Sequence, residues 1–374
     1  MNEREAKQKV VFAGKRLVES GLIARTWGNV SCRISDSHFV ITPSGRDYLT
    51  LTPEEIVTVS ISDLSYVGSI KPSSEKGIHA EIYKQKPNIN FVIHTHQENA
   101  SVLSAMGLDS ISTDSAILGN EIICASYALP GTKKLRRNVS EALSRSKGNA
   151  LIMKNHGAIC FGKDDEQTFQ VASSLEDACK NFIIKAFELA GEHSALNSEF
   201  SDICFNSERT ADGFILDAAD KEPICVKYGE ITSSLPEDVK IHNEIYLKSK
   251  NINNIIHAYS PDILTLSRTD TRLYPMVDDF AQIVGTKVKT VSNNPEDIIS
   301  ALKNSSAVMI KNKGALCCAA SKQDALAIKM ILEKNCKIEV CKVLFKDVKP
   351  LSRLDSLLMR FVYMKKYSKQ MNKS

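Results

Sequence analysis

The sequence predicts two related α/β domains in tandem, and three observations carry that expectation. A chain of 374 residues with 43% hydrophobic side chains is too long for one ordinary core and has enough apolar surface to fill two. The segment IHAEIYKQKPNINFVIHTHQENASVLS (78–104) returns without a gap as IHNEIYLKSKNINNIIHAYSPDILTLS (241–267), pairing His79 with His242 and His94 with His257. Further on, ALIMKNHGAICFG (150–162) returns as AVMIKNKGALCCA (307–319), with Lys313 at the place of His156 and six residues lost in between. The polar stretch GEHSALNSEFSDICFNSERTADG (about 191–213) separates the copies, so the expected organisation is a first domain over 1–196, a second over 214–345 and a C-terminal segment over 346–374.

Taken in chain order, each element has a local reason. The N-terminus MNEREAKQKVVFAGKRL is charged and has neither an apolar core nor a small-residue cleavage site of the secretory kind, and no apolar run approaches membrane-spanning length. A cytoplasmic protein is expected. Gly28-Asn29-Val30-Ser31 follows a short turn, Thr42-Pro43-Ser44-Gly45 closes a β-run, and Ser73-Ser74-Glu75 precedes the helix IHAEIYKQ. FVIHTHQ is β-branched enough to read as a strand, whose alternation puts Val92, His94 and His96 on one face. The apolar strand ALIM runs into Lys-Asn-His-Gly, a strand-end turn that aims His156 into a cleft. At the C-terminus Leu351, Leu354, Leu357, Leu358 and Phe361 fall at helical spacing, which predicts a packed amphipathic helix with a solvated basic end.

The chemistry is concentrated in the first copy. Same-face residues of a strand lie roughly 7 Å apart, a separation across which two imidazoles converge on one ion. With His156 as third ligand, His94 and His96 form a candidate metal site. A lone strand histidine is more often packed than ligating, so the decisive point is a joint loss. In the second copy Tyr259 replaces His96 and Lys313 replaces His156, while the surrounding apolar pattern stays. One imidazole and a cation do not hold a divalent ion, and the second copy is expected to be metal-free. His79 and His242 are kept in both copies, which fits a structural hydrogen-bonding role and leaves both outside the predicted site. Asn29, Ser44, Gly45, Ser73 and Ser74 offer hydroxyls, an amide and backbone N–H groups near a helix start, as a phosphate needs, although TPSG is also a common turn and SSE a plain helix cap.

Composition excludes other classes. Net charge is +4 with both signs mixed along most of the chain, so there is no concentrated field for nucleic acid, and no membrane partner is expected. The ten cysteines are scattered without a CxxC pair, several within apolar runs, and read as reduced core residues.

The motifs GNVS, TPSG, SSExxxHxxIY, HTH and NHG stand in the order, and at nearly the spacings, of the class II aldolase/adducin family. The sequence resembles that family over about residues 5–190 in full and over 214–345 in a shortened copy without the GNVS and TPSG segments. The resemblance implies a three-layer fold, a central mostly antiparallel sheet flanked by helices, assembled around a fourfold axis with sites between subunits. Carried over by motif, it makes His94, His96 and His156 the ligands of one Zn2+ per chain. Glu75 becomes the acid/base residue, and Asn29, Ser44, Gly45, Ser73 and Ser74 the holders of a substrate phosphate. The implied reaction is retro-aldol cleavage of a phosphorylated ketose to dihydroxyacetone phosphate and an aldehyde. Related epimerases carry aspartate at the Glu75 position; a dehydratase of the same superfamily stays compatible, and the adducin branch offers a non-catalytic assembly protein as the alternative. The family's aldolase takes a tyrosine from a neighbouring subunit in the region after HTH, where ISTDSAILGNEII has none; Tyr127 lies at a different position, and Tyr246, Tyr259 and Lys313 of the second copy remain open as substitutes. A fused pair can fill two adjacent places of a four-membered ring, so the expected assembly is a homodimer with pseudo-fourfold symmetry.

Overall fold

The computed structural model describes residues 2–23, 27–190, 205–217, 222–230 and 237–366. The chain divides into two compact units, one of Met1–His193 with Leu344–Lys349 and Met364–Ser374, the other of Ser194–Val343 with Pro350–Tyr363.

In the first unit, helix α1 (Glu3–Glu19) leads into strands β1 (Asn29–Arg33), β2 (His38–Ile41) and β3 (Val57–Ser60). Helix α2 (Lys76–Gln85), β4 (Phe91–Thr95), α3 (Glu98–Ser104), β5 (Ser110–Ser112) and β6 (Glu121–Ala125) follow. The unit continues through α4 (Lys133–Arg145), β7 (Ala150–Met153), β8 (Gly157–Gly162) and α5 (Asp165–Leu189). The eight strands form one sheet in the order β3-β2-β1-β4-β8-β7-β6-β5. Every pairing in it is antiparallel except β6 with β7. The mostly antiparallel sheet flanked by helices is the predicted fold class. On one face, Ile78, Ile82 and Tyr83 of α2 and Leu135, Val139 and Leu143 of α4 meet Phe39, Val92, Leu151 and Phe161 of the sheet. The i, i+4 spacing of Ile78 and Ile82, and of Leu135, Val139 and Leu143, puts those side chains on one face of each helix and turns that face inward.

The second unit repeats this plan. Its strands are β9 (Asn206–Arg209), β10 (Gly213–Asp217), β11 (Ile224–Lys227), β12 (Asn254–Ala258), β13 (Arg272–Leu273), β14 (Val288–Val291), β15 (Ala307–Ile310) and β16 (Gly314–Ala319). Its helices are α6 (Glu237–Lys248), α7 (Pro261–Ser267), α8 (Pro295–Leu302) and α9 (Lys322–Cys341), with α10 (Arg353–Lys366) at the C-terminal end of the described chain. The strand order, β11-β10-β9-β12-β16-β15-β14-β13, is the order of the first sheet position by position. The sheet already begins at Asn206, within the stretch read as the boundary, and residues 191–204 of that stretch lie outside the described residues. Strands β9 to β11 stand where β1 to β3 stand in the first unit, so this part of the sheet is kept even though the GNVS and TPSG residues are gone, and its β9 lies before residue 214.

Two expectations about side chains need correction. α10 docks through Ser356 and Met359, and Arg360 donates to the carbonyls of Gln282 and Ile283 at 2.7 Å each. Of the residues taken as its packed stripe, Leu351, just before the helix, is buried, whereas those within the helix point the other way: Leu354 is 80% exposed, and Leu357, Leu358 and Phe361 are exposed as well. The helix is apolar on both sides, and periodicity alone does not say which side packs. Among the described cysteines, Cys225 is exposed on β11 and the others are buried, and Cys204 lies outside the described residues. No described helix is long and apolar enough to cross a membrane.

Candidate metal centre

Three pieces of backbone converge in the first unit. β4 carries His94, and His96 follows just past its end, the nitrogen of His96 donating to the carbonyl of Leu22 at 3.0 Å. The β7–β8 hairpin closes through Lys154, Asn155 and His156 between the paired residues Met153 and Gly157. Asn155 takes the left-handed conformation such a turn requires, with φ +57°, which asparagine tolerates better than most residues. β8 pairs with β4, placing Ala158 opposite Thr95 and bringing the turn against the two strand histidines. A Cβ on Gly157 would stand 2.4 Å from the Thr95 carbonyl, so only glycine permits that approach.

All three imidazoles are buried. Their ring centres lie 4.7 to 5.1 Å apart, and Nε2 of His94 is 2.9 Å from Nε2 of both His96 and His156. Nδ1 of His94 contacts the Ala158 carbonyl at 2.8 Å. A carbonyl only accepts, so Nδ1 carries the hydrogen and the Nε2 lone pair faces the other two rings. Burial holds the His94 imidazole well below its ordinary pKa, against the pull of Glu75, and keeps it in the neutral form a metal ligand needs. Three nitrogens each about 2 Å from a shared zinc would lie ~3.3 Å from one another, so opening the group by a few tenths of an ångström fits a divalent ion. The donor set His94, His96 and His156 suits a metal, and the fixed Nδ1 of His94 is the outer hydrogen bond that such ligands carry.

Glu75 caps α2 in position but makes no capping hydrogen bond with its side chain. Its carboxylate instead turns to the imidazoles, Oε1 at 3.2 Å from Nε2 of His156 and Oε2 at 3.5 Å from Nε2 of His94. Asn29, opposite His94 across the β1–β4 ladder, donates its Nδ2–H to Oε2 at 2.9 Å. The turn before Asn29 depends on Gly28, whose φ is +137° and where a Cβ would meet the His94 carbonyl at 2.6 Å.

The other predicted residues gather beside this group. The Thr42–Gly45 turn and the Ser73–Glu75 segment run together, with Ser73 N donating to the Thr42 carbonyl at 3.0 Å and Ser44 N to the Lys71 carbonyl at 2.9 Å. Ser73 is buried and its Oγ accepts from Glu75 N at 3.2 Å, Ser74 is exposed, and Ser44 and Gly45 are half-buried. His79, left out on sequence grounds, reaches this group through Asn29, and its four-residue spacing from Glu75 on α2 was the available signal.

The equivalent place in the second unit is built differently. The same tight turn holds Lys311, Asn312 and Lys313, with Asn312 at φ +63°. His257 has turned its ring, so that Nε2 contacts the Lys313 carbonyl at 2.5 Å and must carry the hydrogen. The Lys313 ammonium pairs with Glu237 at 3.0 Å, and Tyr259 stands edge-on to His257.

Comparison with known proteins agrees with this architecture. The profile of the family described as Class II Aldolase and Adducin N-terminal domain matches residues 8–183 and again 200–340. The chain belongs to that family, with two copies of its domain, and so stands among the class II aldolases, which are lyases. It is 31% identical over 176 residues to the 5-deoxy-D-ribulose 1-phosphate aldolase of Bacillus thuringiensis serovar kurstaki, covering 46% of this chain and 82% of that one. To the L-fuculose phosphate aldolase of Haemophilus influenzae it is 31% identical over 179 residues, covering 47% and 81%. A solved structure of an L-fuculose 1-phosphate aldolase aligns with 28% identity and a TM-score of 0.46, over 52% of this chain and 92% of that one.

Proposed function

We propose that this protein is a zinc-dependent aldolase that cleaves a phosphorylated ketose to dihydroxyacetone phosphate and an aldehyde. The observation that carries the reading is the convergence of His94, His96 and His156 on one point with the Glu75 carboxylate beside them. A zinc ion held by the three imidazoles would supply Lewis-acid stabilisation of negative charge developing on a substrate oxygen. Glu75 handles the proton at carbon. In cleavage the bond between the third and fourth ketose carbons breaks: the fourth carbon's hydroxyl loses its proton as its oxygen becomes the aldehyde carbonyl, and the third carbon gains one. Glu75, ionised at rest, takes up the proton released and delivers it to the third carbon, and the reverse direction runs the same transfer backwards. Asn29, Ser44, Gly45, Ser73 and Ser74 would hold the phosphate, with the Asn29 amide shared between substrate and Glu75. The ketose phosphates in the relatives' names support the substrate class and leave the particular sugar open.

The remaining parts of the proposal are a first domain that carries the chemistry, a second that has lost its ligands, a cytoplasmic location, and a homodimer closing a pseudo-fourfold ring. Zinc-loaded protein should release dihydroxyacetone phosphate from at least one member of a panel of ketose 1-phosphates, and light scattering should give twice the chain mass. No release from any member, with zinc bound at one per chain, would sink the aldolase reading and favour an assembly role; a monomer would sink the ring.

A further inference from the structure

The geometry points to His79 as the positioning residue of the site: it sets the orientation of the Asn29 amide, and through Asn29 it holds the Glu75 carboxylate in place. The inference rests on the reading of Glu75 as the acid/base group. His79 lies on α2 four residues after Glu75 and is fully buried. Its Nε2 contacts Asn29 Oδ1, its Nδ1 lies 2.6 Å from Ser31 Oγ, and Ser31 Oγ lies 2.7 Å from the Tyr83 hydroxyl. With the 2.9 Å contact from Asn29 to Glu75 these make one unbroken chain, Tyr83–Ser31–His79–Asn29–Glu75.

The direction of every hydrogen follows from its end. An ionised carboxylate only accepts, so Asn29 presents its NH2 to Glu75 and its oxygen to His79. The oxygen needs a donor, so the His79 hydrogen sits on Nε2. Burial keeps the ring neutral, which leaves Nδ1 as an acceptor for the Ser31 hydroxyl, and Ser31 in turn accepts from Tyr83. A flipped Asn29 would set its oxygen against the carboxylate and its NH2 against an N–H, two repulsive contacts in a buried place. His79 thereby decides that Glu75 meets a donor.

The second unit separates this role from plain support. His242 keeps Nδ1 at 2.8 Å from Ser207 Oγ, and Ser207 keeps its 2.8 Å contact with the Tyr246 hydroxyl. The place of Asn29, two residues before the serine, is taken by Phe205, and the place of Glu75 by Asp238. His242 Nε2 has no hydrogen-bond partner among the described residues. The His–Ser–Tyr half of the chain is therefore the support both units share, while the half running from Nε2 to the carboxylate exists only where the metal ligands do.

Two substitutions divide the halves. His79→Asn places an amide oxygen near Nδ1, keeping the Ser31 contact and losing Asn29; His79→Gln places an NH2 near Nε2, keeping the donor to Asn29. The first should lower kcat on the order of 10- to 100-fold with KM and bound zinc little changed, and the second should restore most of it. His242→Asn, the same change in the second unit, should leave kcat unaltered. Independently of activity and metal, long-range proton–nitrogen NMR of metal-free protein labelled at histidine should show His79 neutral with its hydrogen on Nε2. A hydrogen on Nδ1, equal kcat losses for His79→Asn and His79→Gln, or full activity in His79→Asn would each overturn the assignment. Should no substrate be turned over at all, the tautomer still decides the question, so a failed aldolase reading and a failed role for His79 give different results.

Discussion

The buried histidines that both units share make their stability depend on acid in a way that can be worked out for the second unit. Burial lowers the His242 pKa from its ordinary 6.5 to about 3. In the unfolded chain the ring regains the ordinary value, so below pH 6.5 the unfolded state binds a proton that the folded state refuses. Stability is then full above pH 6.5 and falls as the pH drops from 6.5 towards 3. Each pH unit within that window costs about 1.4 kcal/mol, so the His242 contribution to lost stability between pH 7 and pH 5 is about 2 kcal/mol. His242→Asn keeps an acceptor for Ser207 and removes the titration. Hydrogen exchange of peptides covering α6 and β12, followed by mass spectrometry at pH 7, 6 and 5, measures the opening free energy of this unit in both proteins. The wild-type value should fall more steeply than the variant's, by about 2 kcal/mol over the range. Parallel curves would show that His242 is not held neutral in the fold, and the same reasoning for His79, whose pKa burial also lowers to about 3, would go with it.

Other expectations follow from the metal centre. About one zinc should be found per chain by elemental analysis, and His96→Ala should remove it, since two imidazoles hold the ion far more weakly than three; two tightly bound ions per chain would contradict the difference between the units. Glu75→Gln keeps an acceptor for Asn29 and should retain fold and zinc while turnover falls roughly 100-fold or more, so full activity would make the acid/base assignment wrong. Gly28→Ala should lower the melting temperature of the first unit, by the equivalent of about 1–3 kcal/mol for a backbone held at φ +137° with the His94 carbonyl in the way of the new Cβ.

Part of this protein is written in local pattern. The gapless return of 78–104 as 241–267 requires two copies of one fold, and the structure gives two sheets of identical strand order. The alternation of FVIHTHQ puts His94 and His96 on one side of a strand, because side-chain direction in an extended chain has a period of two whatever the surroundings. The turn at Asn155 is legible for the same reason, since its φ of +57° answers a backbone demand made within the hairpin, whereas Gly157 answers the close approach of the Thr95 carbonyl from β4.

What the tertiary structure decided is everything that joins distant segments. Asn29 read as a phosphate holder, but its amide is engaged by Glu75 and by His79, which lie 46 and 50 residues away in the chain. His79 read as plain support because both copies keep it; only the packing of β1 against α2 shows that its second nitrogen meets Asn29, while that of His242 meets no hydrogen-bond partner among the described residues. The leucines of α10 were expected in a core and stand in solvent, since a helix apolar on two faces does not encode which face finds a neighbour. Sequence period fixes where a side chain points relative to its own element, and only the arrangement of elements fixes what it meets there.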